Sequence, residues 1–115
     1  MAKIENVDAV IALMKQVRQI RQYQAQPVSR EAIDQLLEIA RWTGSARNTQ
    51  PWRFIVIDDK ETLRRISQLR TPINWLAGAP LAIAITLTPE SGVTGVFDEG
   101  RVSERVLIGA NLLGL

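Results

Sequence analysis

Apolar residues recur at Val7, Val10, Ile11, Met14 and Val17, with Ile20 continuing the row. That is helical spacing on one face, with Lys15 and Gln16 between, and it predicts an amphipathic first helix. The periodicity fades into a polar, basic stretch over residues 17–23, and Pro27 closes it by biasing Gln26 towards extended backbone. Ser29 is a natural N-cap for a second helix, with Glu31 and Asp34 in its first turns where the helix dipole favours acids. Its predicted buried face is Ile33, Leu36, Leu37 and Ala40, and Gly44 stops it.

Residues 54–57 are continuously apolar, which predicts a short strand buried on both sides. Asp58, with Glu61 three residues on, has the form of a capping box and predicts a short helix with Leu63, Ile66 and Leu69 inward. Residues 71–78 read as a linker or single helical turn containing Trp75 and Leu76. Residues 81–87 form a second buried strand, whose alternating alanines suit close helix packing on one face. Residues 89–100 carry three glycines and read as a flexible connection. A last helix is then expected from Asp98 or Glu99 through Val102, Val106, Leu107, Ala110 and Leu113, ending in an apolar patch.

Two strands with helices around them leave sheet faces and edges uncovered, and bare edges invite pairing with another chain. Further chain or a partner is therefore expected to complete the sheet. The length of 115 residues allows at most one domain, spanning 1–115, and 46% hydrophobic residues supply a real core.

Composition narrows the chemistry. The chain has no cysteine and no histidine, which removes thiolate nucleophiles, zinc–thiolate clusters and histidine-based triads. The carboxylate pairs Asp58–Asp59 and Asp98–Glu99 sit at expected helix starts and are read as caps, so no metal site is assigned. The net charge is only +2, but eleven of the fourteen basic residues are arginine, the side chain suited to bidentate phosphate or carboxylate binding. They are scattered, so no nucleic-acid groove with interleaved aromatics emerges. No signal peptide or membrane span is legible, and a cytoplasmic protein is expected.

Two constellations could carry chemistry. Arg18 and Arg21, three residues apart, can grip a dianionic phosphate from one side. Spacing alone favours a solvated basic helix end, stabilised by the dipole. The second is the polar loop from Ser45 to Trp52. Its serine, asparagine and glutamine side chains and free backbone N–H groups suit a planar heterocycle with an imide edge, while the same residues also make ordinary turns. Trp52 reads as core.

The ordered motifs go further. Arg-Gln-Ile-Arg-Gln-Tyr, a Pro-Val-Ser helix start, Ala-Arg-Trp-Thr-Gly-Ser-Ala-Arg-Asn-Thr-Gln-Pro-Trp-Arg-Phe-Ile-Val-Ile and later Ala-Pro-Leu-Ala-Ile-Ala-Ile resemble the flavin-dependent nitroreductase family. The closing Asp98…Ala110-Asn111-Leu112-Leu113-Gly114-Leu115 is similar to that family's central helix. The resemblance runs the whole chain and covers about the first half of a family domain. It implies an α+β fold: an α-β-α sandwich with helices around a small, mostly buried sheet, completed by dimerisation.

It also implies a homodimer with FMN at the interface and ping-pong transfer of hydride from NAD(P)H to nitroaromatic, quinone or related small-molecule acceptors. In such enzymes the protein holds the ring and places positive charge, and no catalytic side chain is assigned. By position, Arg18 and Arg21, with Gln19 between them, match the basic motif for the FMN phosphate and ribitol. Ser45, Arg47, Asn48 and Gln50 match the flavin-facing loop, and Asn74 a polar position near the ring. The family usually reads Arg-Arg-Ser where this chain has Val17-Arg18-Gln19, and Pro-Ser where it has Gly44-Ser45. Those departures motivate an alternative, a non-catalytic flavin-binding or protein-interaction remnant of the same fold.

Overall fold

In the computed structural model, which describes residues 3–115, helix α2 (Arg30–Arg41) lies across the long helix α4 (Gly92–Leu112), and the sheet packs beside them. The other elements are helix α1 (Val7–Gln16), strand β1 (Trp52–Ile57), helix α3 (Lys60–Ser67) and strand β2 (Ala82–Leu87). Short 3-10 turns occupy Ala46–Asn48, Thr71–Gly78 and Pro89–Ser91.

Helix α2 forms as its sequence predicts. The Ser29 hydroxyl accepts the Ala32 N–H at 3.1 Å, and Ile33, Leu36 and Ala40 are buried one turn apart. The contact with α4 depends on Gly109, where a Cβ would stand 2.8 Å from Ile39 Cδ1.

The strands pair antiparallel, with Trp52 opposite Leu87, Phe54 opposite Ile85 and Ile57 opposite Ala82. Side chains alternate between faces. The Trp52 and Phe54 face, with Ile85 and Leu87 across from it, meets Ala40 of α2 and Val102 and Val106 of α4 in one core cluster. The other face carries Arg53, Ile55 and Thr86, and Ile55 is 52% exposed. The expectation of strands buried on both sides is therefore corrected: the sheet is covered on one face.

Three other sequence expectations shift. Asp59, not Asp58, caps α3, accepting the Thr62 N–H at 2.8 Å and its hydroxyl at 2.6 Å, while Glu61 pairs with Arg64 rather than closing a box. Leu69 lies beyond the end of α3 and is 77% exposed, whereas Leu63 is 1% exposed. Finally, α4 begins at Gly92, so residues 92–100 are helix rather than flexible connection, and Asp98 lies inside it rather than at its cap. Glycine costs about 1 kcal/mol per position in a helix. Here Gly95, Asp98, Val102 and Gly109 share a buried stripe, and the packing of that stripe outweighs the cost. A Cβ on Gly95 would overlap Ser91 Oγ, so the first turn tolerates no larger residue there.

The outline is open. The radius of gyration is 15.4 Å, against about 13 Å for a compact domain of similar length. Accessible surface is 8903 Å² for 12.8 kDa, where a folded monomer of that mass exposes about 6,300 Å². The excess is apolar in part: Val7, Val10, Ile11 and Met14 of α1 and Val93, Val96 and Phe97 of α4 are all exposed. The apolar row of α1 is present as predicted, but among the described residues Val7, Val10, Ile11 and Met14 stay exposed. Among the described residues no helix is long and apolar enough to cross a membrane.

Leu63→Ala is expected to lower unfolding free energy by about 2–5 kcal/mol. Leu69→Ala is expected to change it by less than about 0.5 kcal/mol. Urea denaturation of both variants checks the pair, and an equal loss would contradict the packing of α3.

Candidate functional site

The last turn of α2 prepares the loop. Glu38 accepts from Arg41 Nε at 2.9 Å, Arg41 Nη2 at 2.7 Å and Trp42 Nε1 at 2.7 Å. Those hydrogen bonds, the one from Arg41 foremost, hold its carboxyl down from 4.5 to about 2. The Arg41 guanidinium also lies over the Trp42 ring, 5.4 Å from its centroid. From α4, Arg105 Nη1 donates to the Trp42 carbonyl at 3.2 Å. Thr43 follows, buried, its hydroxyl without a hydrogen-bond partner among the described residues.

Residues 45–50 then fold into a tight knot. The Ser45 carbonyl accepts the Asn48 N–H at 3.0 Å, and the Ser45 hydroxyl accepts the Gln50 N–H at 2.9 Å. The Ala46 carbonyl takes both the N–H and the hydroxyl of Thr49, at 3.1 and 3.0 Å. Gln50 Nε2 donates to Asn48 Oδ1 at 3.1 Å. Three non-glycine residues here have left-handed backbone: Arg47 (φ 53°), Asn48 (φ 55°) and Gln50 (φ 48°). Asparagine tolerates that region, while arginine and glutamine do so at a cost. Such strain persists where surrounding structure over-determines it, and it clusters at ligand-binding sites.

One fixing contact comes from a residue that sequence reasoning placed elsewhere. Asp98 is 2% exposed; its Oδ2 accepts the Ala46 N–H at 2.8 Å, and its Oδ1 lies 3.6 Å from Arg101 Nη1. The legible signal was spacing: Asp98 falls between Gly95 and Val102 on the stripe that the extended helix buries.

The knot leaves usable polar groups. The exposed Arg47 side chain makes no hydrogen bond or ion pair among the described residues. Asn48 retains its amide N–H groups and Gln50 its amide oxygen, since the bond between them uses the opposite atoms. Ser45 is committed to closing the loop.

The basic segment is arranged differently from its sequence reading. Helix α1 ends at Gln16, so Arg18 and Arg21 share no helix face. Arg18 Nη1 turns back onto the carbonyls of Lys15 and Val17, at 2.6 and 2.9 Å, and caps the helix C-terminus. Arg21 places its guanidinium 5.8 Å from the Trp75 ring centroid, and Tyr23 packs against the same ring at 6.1 Å. Partial burial pushes the Tyr23 hydroxyl up, with Arg21 opposing. Arg21 thereby comes to the turn that carries Asn74, which is exposed, as is Gln19. Among the described residues no hydrogen bond or ion pair joins segment 18–23 to loop 45–50.

The sequence profile of the nitroreductase family matches residues 14–84. The chain belongs to the nitroreductase family. It is 34% identical over 102 residues to an Archaeoglobus fulgidus protein provisionally named NADH dehydrogenase/NAD(P)H nitroreductase, covering 85% of this chain and 59% of that one. Among solved structures, an FMN-dependent nitroreductase from Clostridium difficile superposes with TM-score 0.86 at 35% identity, over 90% of this chain and 61% of that chain. A provisionally named nitroreductase from Desulfovibrio desulfuricans, solved in complex with FMN, gives 0.83 at 28% identity, over 97% and 65%. The α+β architecture is thus that of solved nitroreductases. The chain spans about 60% of the length of two of the curated relatives it matches.

Two measurements probe this corner of the nitroreductase fold. Arg47→Gly removes left-handed strain and is expected to leave stability unchanged or raise it by up to about 1 kcal/mol, whereas Arg47→Val lowers it by about 1 kcal/mol or more. Equal thermal shifts for the two would contradict the loop backbone. Because the Glu38 carboxyl titrates lower in the folded chain than at its ordinary value, its contribution to stability is full above about 4.5 and fades as pH falls through about 2. Glu38→Gln is therefore expected to lower stability at neutral pH and to flatten the acid limb between those values, as read by denaturation at a series of pH.

Proposed function

We propose that this chain binds FMN and works as an NAD(P)H-dependent flavin oxidoreductase of nitroreductase type, passing hydride in ping-pong fashion to nitroaromatic, quinone or related acceptors. The observation that carries the reading is the strained loop 45–50, which is anchored to a buried carboxylate and presents an amide donor, an amide acceptor and a guanidinium together. An imide edge needs that donor and acceptor, and a ring that gains negative charge on reduction is stabilised by a nearby cation. FMN, when bound, supplies the two-electron chemistry; the chain supplies position and charge.

In this reading Asn48 and Gln50 meet the ring edge, Arg47 brings the positive charge, and Ser45 holds the loop closed. Arg21, steadied by Trp75, serves the phosphate and ribitol end together with Gln19, and Asn74 lies on the same side. Arg18 would join them by releasing the carbonyls of Lys15 and Val17. The reading places the protein in the cytoplasm, where NAD(P)H is available.

A homodimer with flavin at its interface would cover part of the exposed apolar surface. The excess over a folded monomer is roughly 2,600 Å². That is the scale one subunit contributes to a large obligate interface. A second reading, a flavin-binding or interaction module without turnover, is favoured by one observation: Arg18 is tied to its own backbone.

Reconstitution with excess FMN decides between them. The expected result is a yellow dimer bleached by NAD(P)H without oxygen and recoloured by a nitroaromatic or quinone. Arg47→Ala and Asn48→Ala should each weaken FMN binding about tenfold, as the loss of one charged or buried hydrogen bond does. Flavin binding without bleaching would select the second reading, and absence of flavin binding would end the enzyme reading and leave only an interaction module.

A further inference from the structure

We propose that Asp98 and Arg101 of α4 form a clamp on residues 44–46 that holds the loop in its ligand-facing shape, which makes Asp98 a positioning residue for the flavin site. The proposal rests on the flavin-facing reading of the loop, but its physical core can be tested apart from it.

The hydrogen bonds within residues 45–50 are all local, spanning two to five residues. Local bonds tie the loop to itself and leave its position relative to the rest of the fold undefined. Among the described residues, the bond from the Ala46 N–H to Asp98 is the one hydrogen bond that joins the loop to another element, across 52 positions of sequence. It is made to a carboxylate that is almost wholly removed from water. A buried carboxylate demands partners: the Ala46 N–H supplies the hydrogen bond at 2.8 Å, and the half-exposed Arg101 guanidinium adds a looser ion pair at 3.6 Å.

Arg101 acts on the other side of Ser45. A Cβ built on Gly44 would stand 3.1 Å from Arg101 Nη2, so the guanidinium lies against the backbone at that residue. The pair therefore touches the residues before and after Ser45, whose hydroxyl and carbonyl close the knot. Left-handed backbone at residues 47, 48 and 50 follows immediately. With residues 44 and 46 fixed, the strained conformer has a defined start; without them, the same segment can relax towards ordinary turn geometry.

The test compares Asp98→Ala, Asp98→Asn, Arg101→Ala and Gly44→Ala by amide hydrogen exchange in the flavin-free protein and by FMN titration. Asp98→Ala is expected to raise exchange at Ala46 and Gln50, and the FMN dissociation constant, by about tenfold or more, as befits a lost charge-assisted bond. Exchange in α2 and β1 should stay at the wild-type level. Asp98→Asn retains an oxygen for the Ala46 N–H and should recover most of the loop protection. Gly44→Ala and Arg101→Ala should loosen the loop a few-fold.

A folded Asp98→Ala protein whose loop exchanges like wild type would overturn the clamp. So would a uniform rise across α2, β1 and α4, because it would make Asp98 a general packing residue. If Asp98→Ala does not fold, unchanged loop exchange in both Gly44→Ala and Arg101→Ala overturns it, and selective loosening supports it. If the wild-type chain takes no FMN, the flavin reading fails while the exchange data still decide the clamp.

Discussion

The crossing of α2 over α4 sets the distances that the rest of the molecule uses. At Gly109 no Cβ stands between the helices, and Ile39 and Leu36 of α2 occupy the space where one would be. Because α2 runs directly into the loop through Trp42 and Thr43, fixing its position on α4 also fixes where the loop starts. Asp98 lies eleven residues before Gly109, which is about three helical turns and so nearly the same face. The stripe that receives α2 is thus the stripe that presents the carboxylate to Ala46. A larger residue at 109 would force the Ile39 and Leu36 side chains to repack at this crossing.

That arrangement explains how so short a segment holds three left-handed non-glycine residues. Each costs on the order of 1 kcal/mol relative to relaxed backbone. A free hexapeptide would not stay in this shape. The Ser45 and Thr49 side chains satisfy backbone groups of the knot, and the Asn48 and Gln50 amides pair with each other, which leaves their remaining polar atoms facing outward. Turn chemistry and outward-facing polar groups, which stand as alternatives on sequence alone, here belong to the same residues.

Legibility in the sequence followed how local the cause was. Ser29 as a cap, the Ile33–Leu36–Ala40 face and the two strands could be read directly, because cap chemistry and periodicity decide them. The family resemblance is legible in ordered motifs along the whole chain, most specifically in Asn48-Thr49-Gln50-Pro51-Trp52. The start of α4 was not, since three glycines between 89 and 100 look like breakers until the buried stripe through Gly95 and Asp98 is known. Asp98 was accordingly placed at a cap, and its long-range bond has no local signature. The pairing of Arg18 with Arg21 assumed a helix that stops at Gln16, where Val17 takes extended backbone (ψ 127°). Leu69 fits the period of α3 but lies beyond its last residue.

The uncovered surface and the site meet on a single turn of α4. Phe97, 72% exposed, and Asp98 are consecutive residues. Successive positions of a helix point about 100° apart. One can therefore face outward while the other holds the loop. Arg101 and Arg105 line the shallow apolar depression beside Phe97 and Val96, and both also touch the segment that follows α2, Arg105 through the Trp42 carbonyl and Arg101 against Gly44. Whatever covers that depression therefore contacts the side chains that fix where α2 ends and the loop begins. Phe97 and the carboxylate that anchors the loop thus share one turn of α4.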